Sequence, residues 1–310
     1  MADKMATRKA YGETLVELGA ENPDLVVMDA DLSKSTMTAE FGKKYPERFF
    51  NMGIAEQNLY GAAAGLALSG KVVCASTFAM FAAGRAFEII RNSIGYTRAN
   101  VKICATHSGI TVGEDGASHQ TFEDIALMRT IPGMTVINPS DGVSAGKLIR
   151  QAVAFNGPCY VRLGRAAVPV FYGEDSEITL GKGNLIREGR DVTVIATGIM
   201  VSEAAAAAEK LAEDGIDVRV IDMHTIKPLD EEIIIKAAEE TGAIVTAEEH
   251  SVIGGLGSAV AEVVVRNHPV KMSMVGQKDT YGESGKPDEL KKKYGMTSDD
   301  IIKAVKELIS

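Results

Sequence analysis

Short apolar segments alternate with amphipathic segments along most of the chain. Apolar runs bounded by Gly, Pro or Asn are typical of strands buried in a parallel sheet. They occur at residues 25–28, 72–76, 101–106, 135–138 and 159–163. Segments with helical spacing, such as 8–19 and 85–96, lie between them. This alternation predicts βαβ units and an α/β fold with mostly parallel sheets.

The pattern is interrupted between residues 168 and 190, where Pro and Gly recur among acidic residues with no hydrophobic period. A second α/β block follows, with predicted strands at 192–196, 218–222, 243–247 and 270–275. Its predicted helices lie at 201–214, 229–241, 257–266 and 298–309, the last capped by Ser298. We therefore expect two doubly wound three-layer domains, at 1–170 and 191–310, joined by a linker at 171–190.

Composition narrows the class of protein. The chain has 310 residues, 45% of them hydrophobic and 24% charged, which is ordinary for a soluble globular protein. A net charge of -9 argues against a nucleic-acid or anionic-membrane surface, and no apolar run approaches the length of a membrane span. The N-terminus lacks the apolar core of a secretory signal.

Cys74, Cys104 and Cys159 lie in apolar strand-like contexts, so we expect buried thiols in a reducing cytoplasm.

The segment at 51–70, NMGIAEQNLYGAAAGLALSG, predicts a helix that opens with Glu56. A carboxylate in a first helical turn is ordinarily a stabilising partner of the helix dipole. The residues after Glu56 are nearly all Gly and Ala, which allows another backbone or a flat ligand to approach closely. Glu56 is therefore a candidate catalytic acid or base, with dipole stabilisation as the alternative.

Other polar and aromatic residues follow predicted strand ends, where open α/β sheets bind ligands. Asp31 and Ser35 come after the first strand, and the Ser and Thr residues there could cap a helix or bind phosphate. Phe78 and Phe81 follow the second strand and could pack in the core or form a stacking surface.

The segment at 106–124, THSGITVGEDGASHQTFED, combines His107, Asp115 and His119 with three glycines. A long glycine-rich loop with acids and bases is typical of a functional loop. A zinc site is the alternative, but no Cys joins the histidines. Arg162 and Arg165 follow the strand at 159–163 and suit bidentate binding of phosphate. We therefore favour polar recognition with acid–base chemistry by histidine.

The segment at 248–262, EEHSVIGGLGSAVAE, partly resembles a dinucleotide-binding motif. It is not GxGxxG, and no acidic residue follows at the required distance. We interpret its glycines as positions where a helix packs closely on a strand.

Taken together, these segments resemble the C-terminal half of the thiamine-diphosphate enzymes of the transketolase family. The matching pieces span nearly the whole chain, and GEDGASHQ is the most specific of them. In order they are ATRK, ADLSKSTMT, NMGIAEQNLYGAAAGLA, STFAMF, ATHSGITVGEDGASHQTFED, RLGRAAVP and IDMHTIKPLD. The resemblance implies a pyrimidine-binding domain followed by a smaller C-terminal domain of the transketolase type.

The resemblance also implies roles for individual residues. Glu56 matches the glutamate that hydrogen-bonds N1′ of the cofactor's aminopyrimidine and thereby activates C2. Phe78 and Phe81 match aromatic residues around the pyrimidine ring, and Asp31 matches an acid near the cofactor. The remaining matches are to sugar-binding residues. His107, Asp115 and His119 match contacts to sugar hydroxyls and the reacting carbonyl, and Arg8, Ser35 and Arg165 match the clamp for the sugar phosphate.

Full-length transketolases carry an N-terminal half whose GDG…N motif binds Mg²⁺ and the diphosphate, and this sequence contains no such motif. The resemblance therefore implies one subunit of a split transketolase. A separate subunit would supply the metal site, in an α2β2 heterotetramer that moves a two-carbon ketol unit between ketose and aldose phosphates. Two alternatives are the beta subunit of a thiamine-dependent 2-oxo-acid dehydrogenase and a non-catalytic scaffolding subunit.

Overall fold

The first unit of the fold is organised on a seven-stranded sheet. The computed structural model of the protein describes residues 3–310, and we number strands and helices along the chain. All neighbouring strands of this sheet are parallel except the edge pair β12–β6. In spatial order the strands are β12 (Thr225–Lys227), β6 (Thr135–Ile137), β7 (Cys159–Arg162), β5 (Val101–Thr106), β4 (Val72–Phe78), β2 (Leu25–Asp29) and β3 (Phe49–Asn51).

Helices cover both faces of this sheet, and separate hydrophobic clusters lie on the two sides. Every residue of β2 and β5 is buried, which explains why these strands are mostly apolar in the sequence, apart from the buried Lys102 of β5. The α-helices of this unit are α1 (Thr7–Glu21), α2 (Ser33–Thr36), α3 (Ala39–Lys44), α4 (Glu56–Leu68), α5 (Phe87–Ile89), α6 (Asp124–Thr130) and α7 (Gly142–Ala154).

The second unit is a smaller sheet of five strands, parallel except for its edge strand β9. The order is β14 (Lys271–Gln277), β13 (Ala243–Ser251), β10 (Val192–Ala196), β11 (Val218–Asp222) and β9 (Asn184–Arg187). Hydrophobic clusters again lie on both faces. The covering helices are α8 (Met200–Glu213), α9 (Glu231–Thr241), α10 (Leu256–Asn267), α11 (Pro287–Lys293) and α12 (Ser298–Ile309). The predicted fold, two three-layer α/β units, is confirmed.

The two units share hydrogen bonds. Strand β12 belongs to the second half of the sequence but completes the first sheet beside β6. Arg129 of α6 donates from Nη1 to the carbonyl of Gly254 at 2.7 Å. A further two-stranded sheet pairs β1 (Lys4–Ala6) with β8 (Ala167–Pro169). The second unit is therefore packed firmly against the first.

Three local predictions differ from the structure. The single helix predicted at 85–96 is instead the short helix α5 between two π-helical segments, Phe81–Arg85 and Ile90–Gly95. The N-cap of α12 is Thr297, which forms a capping box with Asp300, and not Ser298. Strand β9 lies inside the segment predicted as a linker. The sequence does not reveal this strand, because an antiparallel edge strand needs little hydrophobic pattern of its own.

Candidate functional site

The candidate site lies at the carboxyl edge of the seven-stranded sheet. Four neighbouring strands each end one to three residues before a candidate residue. Strand β7 is followed by Arg165, β5 by His107, β4 by Phe81 and β2 by Asp31. Because parallel strands end at the same edge, these residues converge although they are distant in sequence. The π-helical segment Phe81–Arg85 begins at this edge, and such distortions are frequent at functional sites.

Glu56 is the first residue of α4 and is only 2% exposed. Its Oε2 atom is buried and has no hydrogen-bond partner within the described part of the chain. Nη1 of Arg85 lies 3.6 Å from that oxygen, within range of an ion pair but beyond a hydrogen bond. Because unpartnered buried acceptors are rare and costly, this carboxylate is poised for a donor that the chain itself does not supply.

Arg85 links this carboxylate to a group of aromatic rings. The rings of Phe78 and Phe81 are stacked with centroids 6.0 Å apart, and Arg85 lies 5.9 Å from the centroid of Phe81. The ring of His107 is stacked on Phe78 at 3.8 Å. His119 meets Phe81 edge-on at 5.3 Å. The structure therefore brings Phe78, Phe81, His107 and His119 into one cluster.

The cluster fits an aminopyrimidine. A flat heteroaromatic ring packs favourably against stacked phenyl rings. A protonated ring nitrogen would give Glu56 Oε2 the donor that it lacks. Glu56, Phe78 and Phe81 are therefore the residues that could hold the pyrimidine of thiamine diphosphate.

His107 is held firmly in an uncommon conformation. Its φ of 55° lies in the left-handed region, which is unfavourable for a residue with a side chain. Its Nδ1 atom pairs with the hydroxyl of Thr106 at 3.0 Å, and its Nε2 atom lies 3.4 Å from Nη1 of Arg8. Burial, with the positive charges of Arg8 and Arg165, lowers the pKa of His107 to about 3. The imidazole is therefore neutral at physiological pH and can donate or accept a hydrogen bond.

We expect His107 to make the stability of the chain more sensitive to acid. Between pH 6.5 and about 3 the unfolded chain binds a proton at this residue that the folded chain does not, so unfolding becomes easier as the pH falls. Urea denaturation from about pH 7 to about pH 5 should therefore show a larger loss of unfolding free energy for wild type than for His107→Gln. Equal losses would contradict a neutral, buried His107.

The other predicted loop residues are more accessible. His119 is half-buried, and its Nδ1 atom pairs with the hydroxyl of Ser118 at 3.0 Å. Asp115 is exposed at the end of the 3-10 helix Ile110–Asp115. Both residues can be reached by a ligand that enters from solvent, as contacts to a sugar require.

Two arginines converge beside His107. Nη1 of Arg8 donates to the backbone carbonyl of Ser35 at 2.7 Å, so this contact to Ser35 does not use its hydroxyl. Arg165 donates from Nη1 to Glu114 Oε2 at 2.7 Å and also to the carbonyl of Val112. Burial and the like charge of Arg165 lower the pKa of Arg8. Two guanidinium groups that repel each other in this way form an attractive site for an anion.

The turn at 29–38 carries two acidic residues, of which Asp31 is exposed and Asp29 is buried. Asp31 is exposed, and its Oδ1 atom accepts from Nδ2 of Asn51 at 2.8 Å. Asp29 is fully buried and accepts from the hydroxyls of Thr36 at 2.6 Å and Thr38 at 3.0 Å. Asp29 therefore shapes the turn at 29–38, and Asp31 is the acid left available to a ligand.

The prediction that Arg162 binds phosphate is wrong. Arg162 is 1% exposed and donates from Nε to Asp124 Oδ2 at 2.8 Å. Its Nη2 atom donates to the carbonyl of Glu249 at 2.9 Å. Its side chain lies at the junction of the two units because Arg162 is still within β7, whereas Arg165 lies beyond the strand.

Sequence reasoning also missed two residues of the site. Arg85 is the partner of Glu56, but it lies in a segment predicted as an ordinary helix. Glu249 comes from the second unit, and its Oε1 atom accepts from the N–H of Thr111 in the loop after His107. The sequence does contain one sign of Glu249. The charged run EEH follows an apolar strand directly, and this indicates that the end of the strand has polar partners.

The described residues hold neither a metal-ligand cluster nor a helix that could cross a membrane. Within residues 3–310, no cluster of three or more His, Cys, Asp or Glu side chains could hold a metal ion. No helix in the same range combines the length and the apolar character needed to cross a membrane. The three cysteines are buried and free.

Two family models together match most of the chain. The family model for the transketolase pyrimidine binding domain matches residues 3–170, and the model for the transketolase C-terminal domain matches residues 181–301. The chain therefore belongs to the transketolase family, whose members use thiamine diphosphate, and it corresponds to the C-terminal section of a transketolase. The domain boundaries at 170 and 190 stay a prediction.

Relatives of similar length are described as single sections or subunits. The chain is 54% identical to a protein of Methanocaldococcus jannaschii described as a transketolase C-terminal section, over 97% of this chain and 95% of that protein. It is 44% identical to a 6-deoxy-6-sulfo-D-fructose transketolase subunit of Clostridium sp., over 97% of this chain and 94% of that protein. It is 39% identical to mouse transketolase, and that match spans 100% of this chain but only 50% of the mouse protein.

Solved structures show the same relationship. A structure titled split gene transketolase, inactive beta4 tetramer, superimposes with a TM-score of 0.93 at 55% identity, over 98% of each chain. Transketolase from Leishmania mexicana superimposes with a TM-score of 0.84 at 26% identity, over 100% of this chain and 46% of that one.

Proposed function

We propose that the chain is the catalytic C-terminal subunit of a two-subunit transketolase. It would transfer a two-carbon ketol unit between ketose and aldose phosphates and would be active only with an N-terminal-half subunit. The observation that carries this proposal is the unpartnered carboxylate of Glu56, which Arg85 links to the stacked rings of Phe78 and Phe81. The named relatives favour a transketolase over the beta subunit of a 2-oxo-acid dehydrogenase. Such a preserved site is not needed by a scaffolding subunit.

Thiamine diphosphate, when bound, supplies the carbon nucleophile that accepts and returns the ketol unit. Glu56 holds a proton at N1′ of the aminopyrimidine, and Phe78 and Phe81 orient the ring. Burial of Glu56 keeps water away from this carboxylate and strengthens its hydrogen bond to the ring nitrogen.

His107 and His119 act on the sugar. Neutral His107 offers Nε2 to a hydroxyl or to the reacting carbonyl, while Thr106 fixes its ring through Nδ1. His119, edge-on to Phe81, faces the same space from the other side of the loop. Exposed Asp115 is the acceptor for a sugar hydroxyl. Asp31, near the turn at 29–38, is assigned to the cofactor side of the site.

Arg8 and Arg165 form the anion clamp, with Ser35 orienting Arg8 through its carbonyl. A phosphate at the end of the sugar would displace Glu114 from Arg165, because two negative groups compete for one guanidinium. Relatives named for apulose-4-phosphate and 6-deoxy-6-sulfo-D-fructose indicate that the preferred sugar differs among close homologues.

We expect Arg165→Ala to raise KM for a phosphorylated donor by about ten- to 100-fold, which corresponds to the loss of a charge-assisted hydrogen bond. KM for a small unphosphorylated donor should change little. Steady-state kinetics of the reconstituted enzyme measure both constants. The control is Lys9→Ala, since Lys9 is exposed on α1 and pairs with Glu13. An equal increase for both donors would remove Arg165 from the clamp.

The assembly that we propose is an α2β2 heterotetramer. The partner subunit would bind Mg²⁺ and the diphosphate, since this sequence contains no GDG…N motif. A related beta chain has been solved as an inactive beta4 tetramer, which supports a requirement for the partner. We also propose a cytoplasmic location, on the basis of the three reduced thiols.

A further inference from the structure

The segment at 106–124, which carries His107 and His119, is called the catalytic loop here. The second unit contacts it through the buried side chain of Glu249. Glu249 lies in β13 and is 3% exposed. Its Oε1 atom accepts a hydrogen bond from the backbone N–H of Thr111 at 2.7 Å. Thr111 belongs to the 3-10 helix Ile110–Asp115, which starts three residues after His107. The carboxylate therefore fixes the backbone of the loop that carries the candidate sugar contacts.

Gly109 shows how closely the loop approaches this carboxylate. A Cβ atom added to Gly109 would lie 2.3 Å from the carboxyl carbon of Glu249 and 2.5 and 2.6 Å from its oxygens. The φ of Gly109 is +75°, and its N–H donates to the carbonyl of Thr121 at 3.2 Å. Only glycine fits at this position, because both the backbone conformation and the neighbouring carboxylate exclude a side chain.

Glu249 is itself held by the first unit. Its carbonyl accepts from Nη2 of Arg162 at 2.9 Å, and the N–H of Ser251 donates to the carbonyl of Phe122 at 3.0 Å. Burying a carboxylate is costly unless it is hydrogen-bonded, and here its bond is to the loop. The end of β13 therefore supports the loop from a rigid strand, which is more precise than support from another loop.

We propose that Glu249 is a positioning residue, which holds the backbone at 109–111 so that His107 keeps its place against Phe78. This role rests on the proposed function, since it assigns the second unit a part in the ketol transfer. It explains why a unit that supplies none of the other candidate site residues is packed so firmly against the catalytic loop.

Hydrogen exchange of the chain alone tests the contact without any need for activity. In Glu249→Ala, peptides that cover 108–121 should exchange at least about tenfold faster than in wild type, because a buried N–H loses its partner. Glu249→Gln keeps an acceptor oxygen and should restore most of the protection. The control is Glu262→Ala, which removes a different bond between the units, from Arg129 at 3.0 Å, at an exposed site.

Kinetics of the reconstituted enzyme test the consequence. A displacement of the loop by about 1 Å can cost about 100-fold in rate, so we expect a loss of that order in kcat for Glu249→Ala and recovery in Glu249→Gln. Unchanged exchange and unchanged kcat in a folded Glu249→Ala would overturn the proposal. If the wild-type complex is inactive, the proposed function fails, whereas the exchange result still decides whether Glu249 holds the loop.

Gly109→Ala provides a second variant in case Glu249→Ala does not fold. It leaves every polar group in place but pushes the loop away from the carboxylate. Its control is Gly133→Ala, since Gly133 has nearly the same φ, +74°, and no atom within 4 Å of an added Cβ. We expect Gly109→Ala alone to accelerate exchange at 108–121 and to lower kcat. Identical behaviour of the two variants would overturn the proposal.

Discussion

Glu56→Gln should lower the transketolase activity of the reconstituted enzyme by about 100-fold or more, which is the usual contribution of a residue that holds or transfers a proton in catalysis. Glutamine keeps the size of the side chain and an oxygen acceptor but removes the negative charge. The buried position, 2% exposed, leaves no solvent to replace that charge. The measurement is kcat at saturating thiamine diphosphate and sugar phosphates.

The control for this variant is Glu88→Gln. Glu88 is an exposed glutamate of α5 that hydrogen-bonds Asn92 and lies outside the cluster. We expect Glu88→Gln to keep full activity. The catalytic assignment of Glu56 would be contradicted if Glu56→Gln retained the wild-type rate while bound to cofactor.

Arg162→Leu should destabilise the chain by about 3–5 kcal/mol, since it leaves the fully buried Asp124 without its cationic partner. This loss is a large part of the total stability of an average protein, about 5–15 kcal/mol. The pKa of Asp124 is lowered by Arg162 and His250 against the effect of burial, so the carboxylate stays charged when the protein is folded. Urea denaturation at constant pH measures the difference.

Two comparison variants make this prediction specific. Arg150→Leu removes an arginine that pairs with Glu21 at 3.0 Å on the surface, and it should cost about 1 kcal/mol or less. Arg162→Leu combined with Asp124→Asn should be more stable than Arg162→Leu alone, because residue 124 then carries no unpaired buried charge. Equal losses for Arg150→Leu and Arg162→Leu would show that the buried pair has no special importance.

The sequence predicts the strands of the fold more accurately than its polar contacts. Strands β5, β10 and β11 have the predicted bounds, because a strand covered on both faces is mostly apolar and β-branched, even where it contains a buried Lys102 or Arg219. Strand β13 continues four residues past its predicted end, to Ser251. Its last residues, Glu248 to Ser251, are polar and find their hydrogen-bond partners partly in the first unit, which local pattern does not reveal.

The two arginines at 162 and 165 illustrate the same limit at the site. Both follow an apolar run and both suit a phosphate, yet Arg162 is inside β7 and Arg165 is beyond it. Which arginine is buried depends on Asp124, 38 residues earlier, and on a unit that folds from the second half of the sequence. By contrast, Phe81 and His107 could be placed near each other from sequence, because each follows the end of one of two neighbouring strands.

The most direct test of the central claim is transketolase activity of the purified chain with thiamine diphosphate and Mg²⁺, measured with and without an N-terminal-half subunit. We expect activity only when both subunits are present, because the proposed pyrimidine and sugar sites lie on this chain, whereas its sequence has no GDG…N motif for the metal and the diphosphate. Activity of the chain alone, or none in a verified complex of the two subunits, would contradict the account.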